Sequence, residues 1–188
     1  RLVSRGLGDV YKRQGFARQN WFEPVGREAA MLRDAVGVID ISNFGKYEVT
    51  GPGAGDWLDA LVANHVPREI GKSCLTPLIG MRGGVAGDFT ITMTGDESYM
   101  MIGSGMAERY HRRFFDMVPL PDGTGFEVAT PRIAGFNVAG PRSREMLAGL
   151  TDADLSNEGW RFMRSRRIAV GGVDLSLIHI SEPTRHKT

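Results

Sequence analysis

The stretch from Phe89 to Ile102 leaves the chain few structural options. Phe89-Thr90-Ile91-Thr92-Met93-Thr94 alternates apolar and polar side chains without a break, and Tyr99-Met100-Met101-Ile102 forms a second apolar run. A period of two puts every other side chain on one face of a strand, a pattern that a helix of 3.6 residues per turn does not produce. Gly95-Asp96-Glu97 between the runs is turn chemistry, so the segment is predicted as a β-hairpin, closed by Gly103-Ser104-Gly105. The rest of the chain must then cover one face of an antiparallel sheet.

The flanking elements fit that requirement. Trp21 to Ala35 mixes Glu28, Arg33 and Asp34 with Ala29, Ala30, Met31 and Leu32 and reads as a helix ending near Gly37. Lys46-Tyr47-Glu48-Val49-Thr50 alternates as a half-buried strand that Gly51-Pro52-Gly53 stops. Trp57, Leu58, Leu61 and Val62 fall on one face of a helix over 53–63. Cys74 to Ile79 reads as a buried strand. Met106 to Val118 reads as a helix with Tyr110, Phe114 and Val118 on its apolar face, and with Arg109, Arg112, Arg113 and His111 as an exposed face. Short strands over Gly125–Thr130 and Gly135–Ala139, a helix over Pro141–Leu150 with proline in its first turn, and a strand over Arg166–Val170 follow. Helices and strands do not alternate regularly, so the expected class is α+β with a mostly antiparallel sheet.

The two ends carry the same DNA message read on opposite strands. Asp9 to Gln14 can be encoded GAT GTG TAT AAG AGA CAG, whose reverse complement encodes Leu175-Ser176-Leu177-Ile178-His179-Ile180. The correspondence continues outward from Gly8 with Ser181 to Arg1 with Thr188. It fails inward at Gly15 and Asp174, since no glycine codon is the reverse complement of an aspartate codon. Residues 1–14 and 175–188 are therefore expected to be adaptor-derived rather than native, leaving 15–174 as part of a longer natural domain.

Setting these ends aside removes six of the 23 Lys+Arg and two of the 22 Asp+Glu, so residues 15–174 carry 17 bases against 20 acids. A mildly acidic body gives no global attraction to nucleic acid or to an anionic membrane surface. No apolar run approaches the roughly 18 to 20 residues of a membrane-spanning helix. Cys74 is the chain's single cysteine and cannot form an internal disulfide, which suits a reducing, cytoplasmic setting.

Spacing alone nominates few chemical groups. Gly51-Pro52-Gly53-Ala54-Gly55 lies between a strand and a helix, but Asp56 stands where a dinucleotide fingerprint needs its third glycine, so it reads as an ordinary turn. Arg161, Arg164, Arg166 and Arg167 can grip an anion or line a solvated strand edge. His65 has no partners at metal-ligand spacing, and Cys74 has no base beside it; no metal site is expected. Gly83-Gly84-Val85-Ala86-Gly87-Asp88 differs, because a glycine-rich turn delivers one carboxylate to the mouth of the hairpin among apolar neighbours. Asp88 there can act as a proton acceptor or stabilise a developing cation, or it can bond its own backbone as a turn aspartate.

Several separate motifs resemble a known family. Val38-Ile39-Asp40-Ile41-Ser42-Asn43-Phe44-Gly45-Lys46-Tyr47-Glu48-Val49-Thr50-Gly51-Pro52-Gly53-Ala54 and Gly83 to Ile91 resemble two blocks of the folate-binding aminomethyltransferase fold. Trp21 to Glu28, Phe44-Gly45-Lys46, Gly103-Ser104-Gly105 and Val138 to Arg144 resemble the C-terminal folate domain of dimethylglycine and sarcosine dehydrogenases. Asn43-Phe44 in place of a His-Met pair, and Gly87 in place of a frequent second aspartate, depart from the glycine-cleavage T-protein branch.

The resemblance implies a C-terminally truncated aminomethyltransferase fold, with a ferredoxin-like antiparallel sheet and packed helices. It implies tetrahydrofolate as cofactor, Asp88 as catalytic acid-base, and Phe44, Leu75, Met100 and Ile102 beside Asp88 as lining of the pterin slot. It further implies FAD in an upstream flavin domain of the same polypeptide, which oxidises a small N-methyl amine whose one-carbon unit becomes 5,10-methylenetetrahydrofolate. A glutamate-bearing segment that the family places after Val173 has no counterpart here, so the chain alone is expected to be inactive. Two alternatives stay open: a T-protein-type aminomethyltransferase acting on a lipoyl carrier, and a non-catalytic module of the same fold.

Overall fold

The computed structural model describes residues 18–179. By backbone contacts the chain divides into two units, one made of the described part of Arg1–Val38 with Val138–Met146, the other of Ile39–Asn137 with the described residues from Leu147 onward.

The first unit holds helix α1 (Phe22–Asp34) and leads into strand β1 (Gly37–Asp40), which pairs with β7 (Phe136–Ala139). The Ala35 amide closes α1 on the Met31 carbonyl, and the Ala35 carbonyl accepts from the Arg142 amide. Gly140 has φ +116° and lies against the Leu32 and Ala35 carbonyls, so a β-carbon there would meet backbone.

The second unit is built on a five-stranded antiparallel sheet of order β3-β4-β5-β2-β6, made from β2 (Gly45–Thr50), β3 (Ser73–Ile79), β4 (Val85–Gly95), β5 (Ser98–Gly103) and β6 (Gly125–Val128). Phe89, Ile91 and Met93 of β4, Tyr99 and Met101 of β5, and Tyr47 and Val49 of β2 are buried together, the face that the period-two pattern predicts. Helices α2 (Ala54–Leu61) and α3 (Glu108–Phe115) cover it with Trp57, Leu58, Leu61 and Phe115. Tyr47 anchors this core, its ring 5.2 Å from Phe115, 5.7 Å from Phe126 and 6.1 Å from Phe89. The Trp57 indole donates to the Val118 carbonyl at 3.1 Å, which satisfies its buried N–H.

Two expectations change. In the strand expected to be buried at Cys74–Ile79, Thr76 and Leu78 are buried and Leu75 is 56% exposed, because the helices cover one face of the sheet and Leu75 lies on the other. On α3 the buried positions are His111 and Phe115, one residue round from the predicted Tyr110 and Phe114 face. His111 and Phe115 are an i, i+4 pair that fits under the sheet, and Tyr110 is left half outside.

A hairpin of β8 (Arg164–Val170) and β9 (Val173–His179) completes the unit and packs Leu175 and Leu177 against a small cluster of Leu155, Trp160 and Ile168. Helix α4 (Ser143–Ala148) precedes it. Leu175–His179 belong to the stretch set apart by its reverse-complement relation, and they pair with β8 across their whole length. Alternate apolar residues suffice for such a ladder whatever their origin.

Candidate functional site

Alternation sends the remaining side chains of these strands to the sheet's other face, and the register aligns them in rows. Leu75 of β3 stands opposite Thr90 of β4, Thr90 opposite Ile102 of β5, and Ile102 opposite Lys46 of β2. In the next row Ser73, Thr92, Met100, Glu48 and Glu127 follow one another across all five strands. Asp88 lies opposite Pro77, one step past the Leu75 row on the same parity. Phe89 and Gly45 both face Gly103, so Asp88 and Phe44 flank Ser104 at the same end of the sheet. Two inter-strand spacings put their backbones about 10 Å apart. Of the five residues nominated from the sequence, Leu75, Asp88, Met100 and Ile102 thus fall on one face in adjacent rows, and Phe44 lies in the turn just before β2, at the Asp88 end.

Local packing accounts for the glycines around this end. A β-carbon on Gly103 would stand 2.6 Å from the Phe89 ring, and one on Gly105 would overlap the Asn43 carbonyl. The Gly-Ser-Gly run therefore lets the β5 end pass close to both the Asp88 strand and the Phe44 turn.

Asp88 is exposed and forms no ion pair among the described residues. Beneath it His111 is 1% exposed, its ring edge-on to Phe89 at 4.7 Å and its Nδ1 3.4 Å from the Tyr47 hydroxyl. Burial pushes the His111 pKa below its ordinary 6.5, against the opposing pull of the Asp88 charge and a hydrogen bond with the Ala86 backbone. Burial raises the Tyr47 phenol in the same way, keeping it protonated.

The unfolded chain therefore binds the His111 proton more readily than the folded one, and stability falls as pH drops from about 6.5 toward the folded-state value, by at most about 1.4 kcal/mol per pH unit. Denaturant midpoints at pH 7.5 and 5.5 check this: His111→Gln is expected to lose that part of the pH slope, and an unchanged slope would assign it to other groups.

Sequence reasoning missed two groups. The sequence places His111 on an exposed basic face, although its i, i+4 relation to Phe115 is the available signal. Lys46 occupies an outward position of an alternating strand and reads as solvated, yet it is 2% exposed because the Ile41–Phe44 turn and Gly135 lie over it. Only packing reveals this.

The other nominated groups are accounted for by local bonds. Asp56 in the glycine-rich turn pairs with Arg68 at 2.7 Å, Arg164 pairs with Glu69 at 2.6 Å, and the Arg166 guanidinium lies over the Trp160 ring. His65 is exposed beside Asp59. Burial raises the Cys74 thiol pKa, which keeps it protonated and unreactive. Among the described residues no group of three or more His, Cys, Asp or Glu side chains could hold a metal ion, and no helix is long and apolar enough to cross a membrane. A cavity of about 310 Å³ between the Gly80–Gly84 turn and α3, lined by Met81, Tyr110, Phe114 and Met117, contains none of the five nominated residues.

Residues 7–181 match the GCVT N-terminal domain family. The mitochondrial dimethylglycine dehydrogenase of Mus musculus is 31% identical over 92% of this chain and 20% of its own length. The aminomethyltransferase of Thermus thermophilus is 32% identical over 70% of this chain and 38% of its own. The chain thus spans about one fifth of the dehydrogenase. Among solved structures, the heterotetrameric sarcosine oxidase of Corynebacterium sp. U-96 in complex with pyrrole 2-carboxylate superposes with a TM-score of 0.63 at 13% identity, over 89% of this chain and 84% of that one.

Proposed function

The chain belongs to the GCVT N-terminal domain family, and on that premise we propose that the outer face of its five-stranded sheet is half of a tetrahydrofolate site. In this reading a longer polypeptide of dimethylglycine or sarcosine dehydrogenase type carries the site, and one-carbon units from an N-methyl amine are captured there as 5,10-methylenetetrahydrofolate. The observation that carries the proposal is the shared face of Asp88, Leu75, Met100 and Ile102, on strands whose other face is core, with Phe44 in the turn at the Asp88 end. Leu75 is exposed and Met100 and Ile102 are half-buried on that face, and this apolar stretch with one unpaired carboxylate at its end suits a flat heterocycle with a reactive nitrogen.

When bound, tetrahydrofolate supplies the nucleophilic amine that accepts the one-carbon unit. Asp88, ionised before the reaction, would be the group placed to accept the proton that the amine releases, its charge being neutralised as it does so. Leu75 and Ile102 would form the floor that excludes water, with Met100 in the adjacent row and Phe44 at the same end of the sheet as Asp88, across Ser104 from it. FAD would be held by another part of the longer polypeptide.

Packing at Gly87 favours the dehydrogenase reading over a T-protein-type aminomethyltransferase. A β-carbon there would overlap the buried His111 ring, so the second aspartate frequent in that branch has no room. Calorimetric titration of the full-length polypeptide with tetrahydrofolate tests the proposal. Saturable binding is expected, and Leu75→Asp, at an exposed position that leaves the core intact, should weaken it at least tenfold by setting a charge into the apolar floor. Equal binding by the variant would overturn this assignment of the face.

A further inference from the structure

Lys46 is buried without a carboxylate partner within ion-pair distance among the described residues, an arrangement that costs stability unless something else is gained. Its stem lies under the Ile41–Phe44 turn, where a β-carbon on Gly135 would be 3.5 Å from its Cε. The ammonium donates to two backbone carbonyls, Ser42 O at 2.9 Å and Phe44 O at 3.0 Å. Asp40 and Glu108 favour its charge from a distance while burial pulls its pKa down.

The turn it holds is itself knitted together. Ser42 N donates to Asp40 Oδ1 at 2.8 Å, Phe44 N to the Ile41 carbonyl at 2.9 Å, Ile41 N to the Gly135 carbonyl at 2.8 Å and Gly135 N to Ser42 Oγ at 3.1 Å. None of these bonds reaches the carbonyls of Ser42 and Phe44, which belong to the Ser42–Asn43 peptide before Phe44 and the Phe44–Gly45 peptide after it.

We propose that Lys46 is a positioning residue for the folate site: by bridging the Ser42 and Phe44 carbonyls it fixes the backbone on both sides of Phe44 and holds that side chain at the end of the sheet face, across Ser104 from Asp88. The inference rests on the functional reading above and assigns to that site a residue that never touches the ligand. A side chain without a donor at 46 leaves these two carbonyls unpaired, and the turn opens to recruit water.

The test uses Lys46→Met, Phe44→Ala and the double variant in the full-length polypeptide. Lys46→Met should raise the KM for tetrahydrofolate about tenfold or more while kcat at saturation stays within about twofold, since the reacting groups are untouched. Phe44→Ala should raise KM by a similar factor, and the double variant no further. Hydrogen exchange at the Phe44 amide should quicken in Lys46→Met while the Tyr47, Val49 and Ile91 amides keep their protection, which shows the core intact. Lys46→Gln, with a shorter stem and a neutral donor, should fall between parent and Lys46→Met.

An unchanged KM in Lys46→Met, multiplying effects in the double variant, or a fall in kcat alone would overturn the inference and leave the functional reading standing. Phe44→Ala with an unaltered KM overturns it even if the Lys46 variants fail to fold. Absence of tetrahydrofolate binding by the parent would instead remove the functional reading, and this role with it.

Discussion

On the proposed function, replacing Asp88 by asparagine in the full-length polypeptide should cut 5,10-methylenetetrahydrofolate formation by about 10²-fold or more, the usual scale for removing a general acid-base group. Asparagine keeps the size and removes the charge. Asp88 is exposed and forms no ion pair among the described residues, so the fold loses nothing with it. Amine oxidation should persist, and the one-carbon unit should leave as formaldehyde. The measurement is the ratio of methylenetetrahydrofolate to free formaldehyde at saturating tetrahydrofolate. An unchanged ratio would reduce Asp88 to a turn residue, and a matching loss of flavin reduction would trace the effect to damaged structure.

The largest stability effect is expected one residue further on. Phe89→Ala should destabilise the second unit by about 3–5 kcal/mol, because it removes a fully buried ring and leaves a cavity. That ring touches His111 at 4.7 Å, Phe115 at 5.9 Å and Tyr47 at 6.1 Å, so the walls come from β2 and α3 and cannot close together easily. Urea unfolding with the m-value held should show the full loss in the midpoint. A change under about 1 kcal/mol would mean that the site collapses more readily than interiors of this density do. The adjacent pair thus separates two roles: the odd residue of the strand holds the sheet to its helices, and the even one faces the proposed ligand.

That separation was legible before the structure, since it follows from the period of two in Phe89–Thr94 and from the inward partners Tyr47, Val49 and Tyr99. Helix α2 was legible for the same reason, its Trp57, Leu58 and Leu61 marking one face. Leu75 was named for the slot through a resemblance between motifs, while its own strand was read as buried. Its exposure depends on which face of the sheet the helices cover, which no local pattern encodes. The α3 face was misjudged by one residue because Tyr110 is the more apolar side chain and His111 the better placed one.

The sequence by itself determined the elements whose information is local: alternation for strands, i, i+4 spacing for helices, glycine where a turn or a close backbone passage forbids a β-carbon. It also nominated Asp88, since a glycine-rich turn before an alternating strand is a local feature. Tertiary structure alone decided which strands are neighbours, and so brought Leu75, Asp88 and Ile102 into adjacent rows, with the Phe44 turn at their end, from positions far apart in the chain. It alone decided the burial of Lys46 and His111, because burial of a polar group depends on what folds over it, here Gly135 and the Ile41–Phe44 turn for the lysine and the Gly87 strand for the histidine. A side chain's own neighbours in sequence set its direction, while distant segments set whether water reaches it.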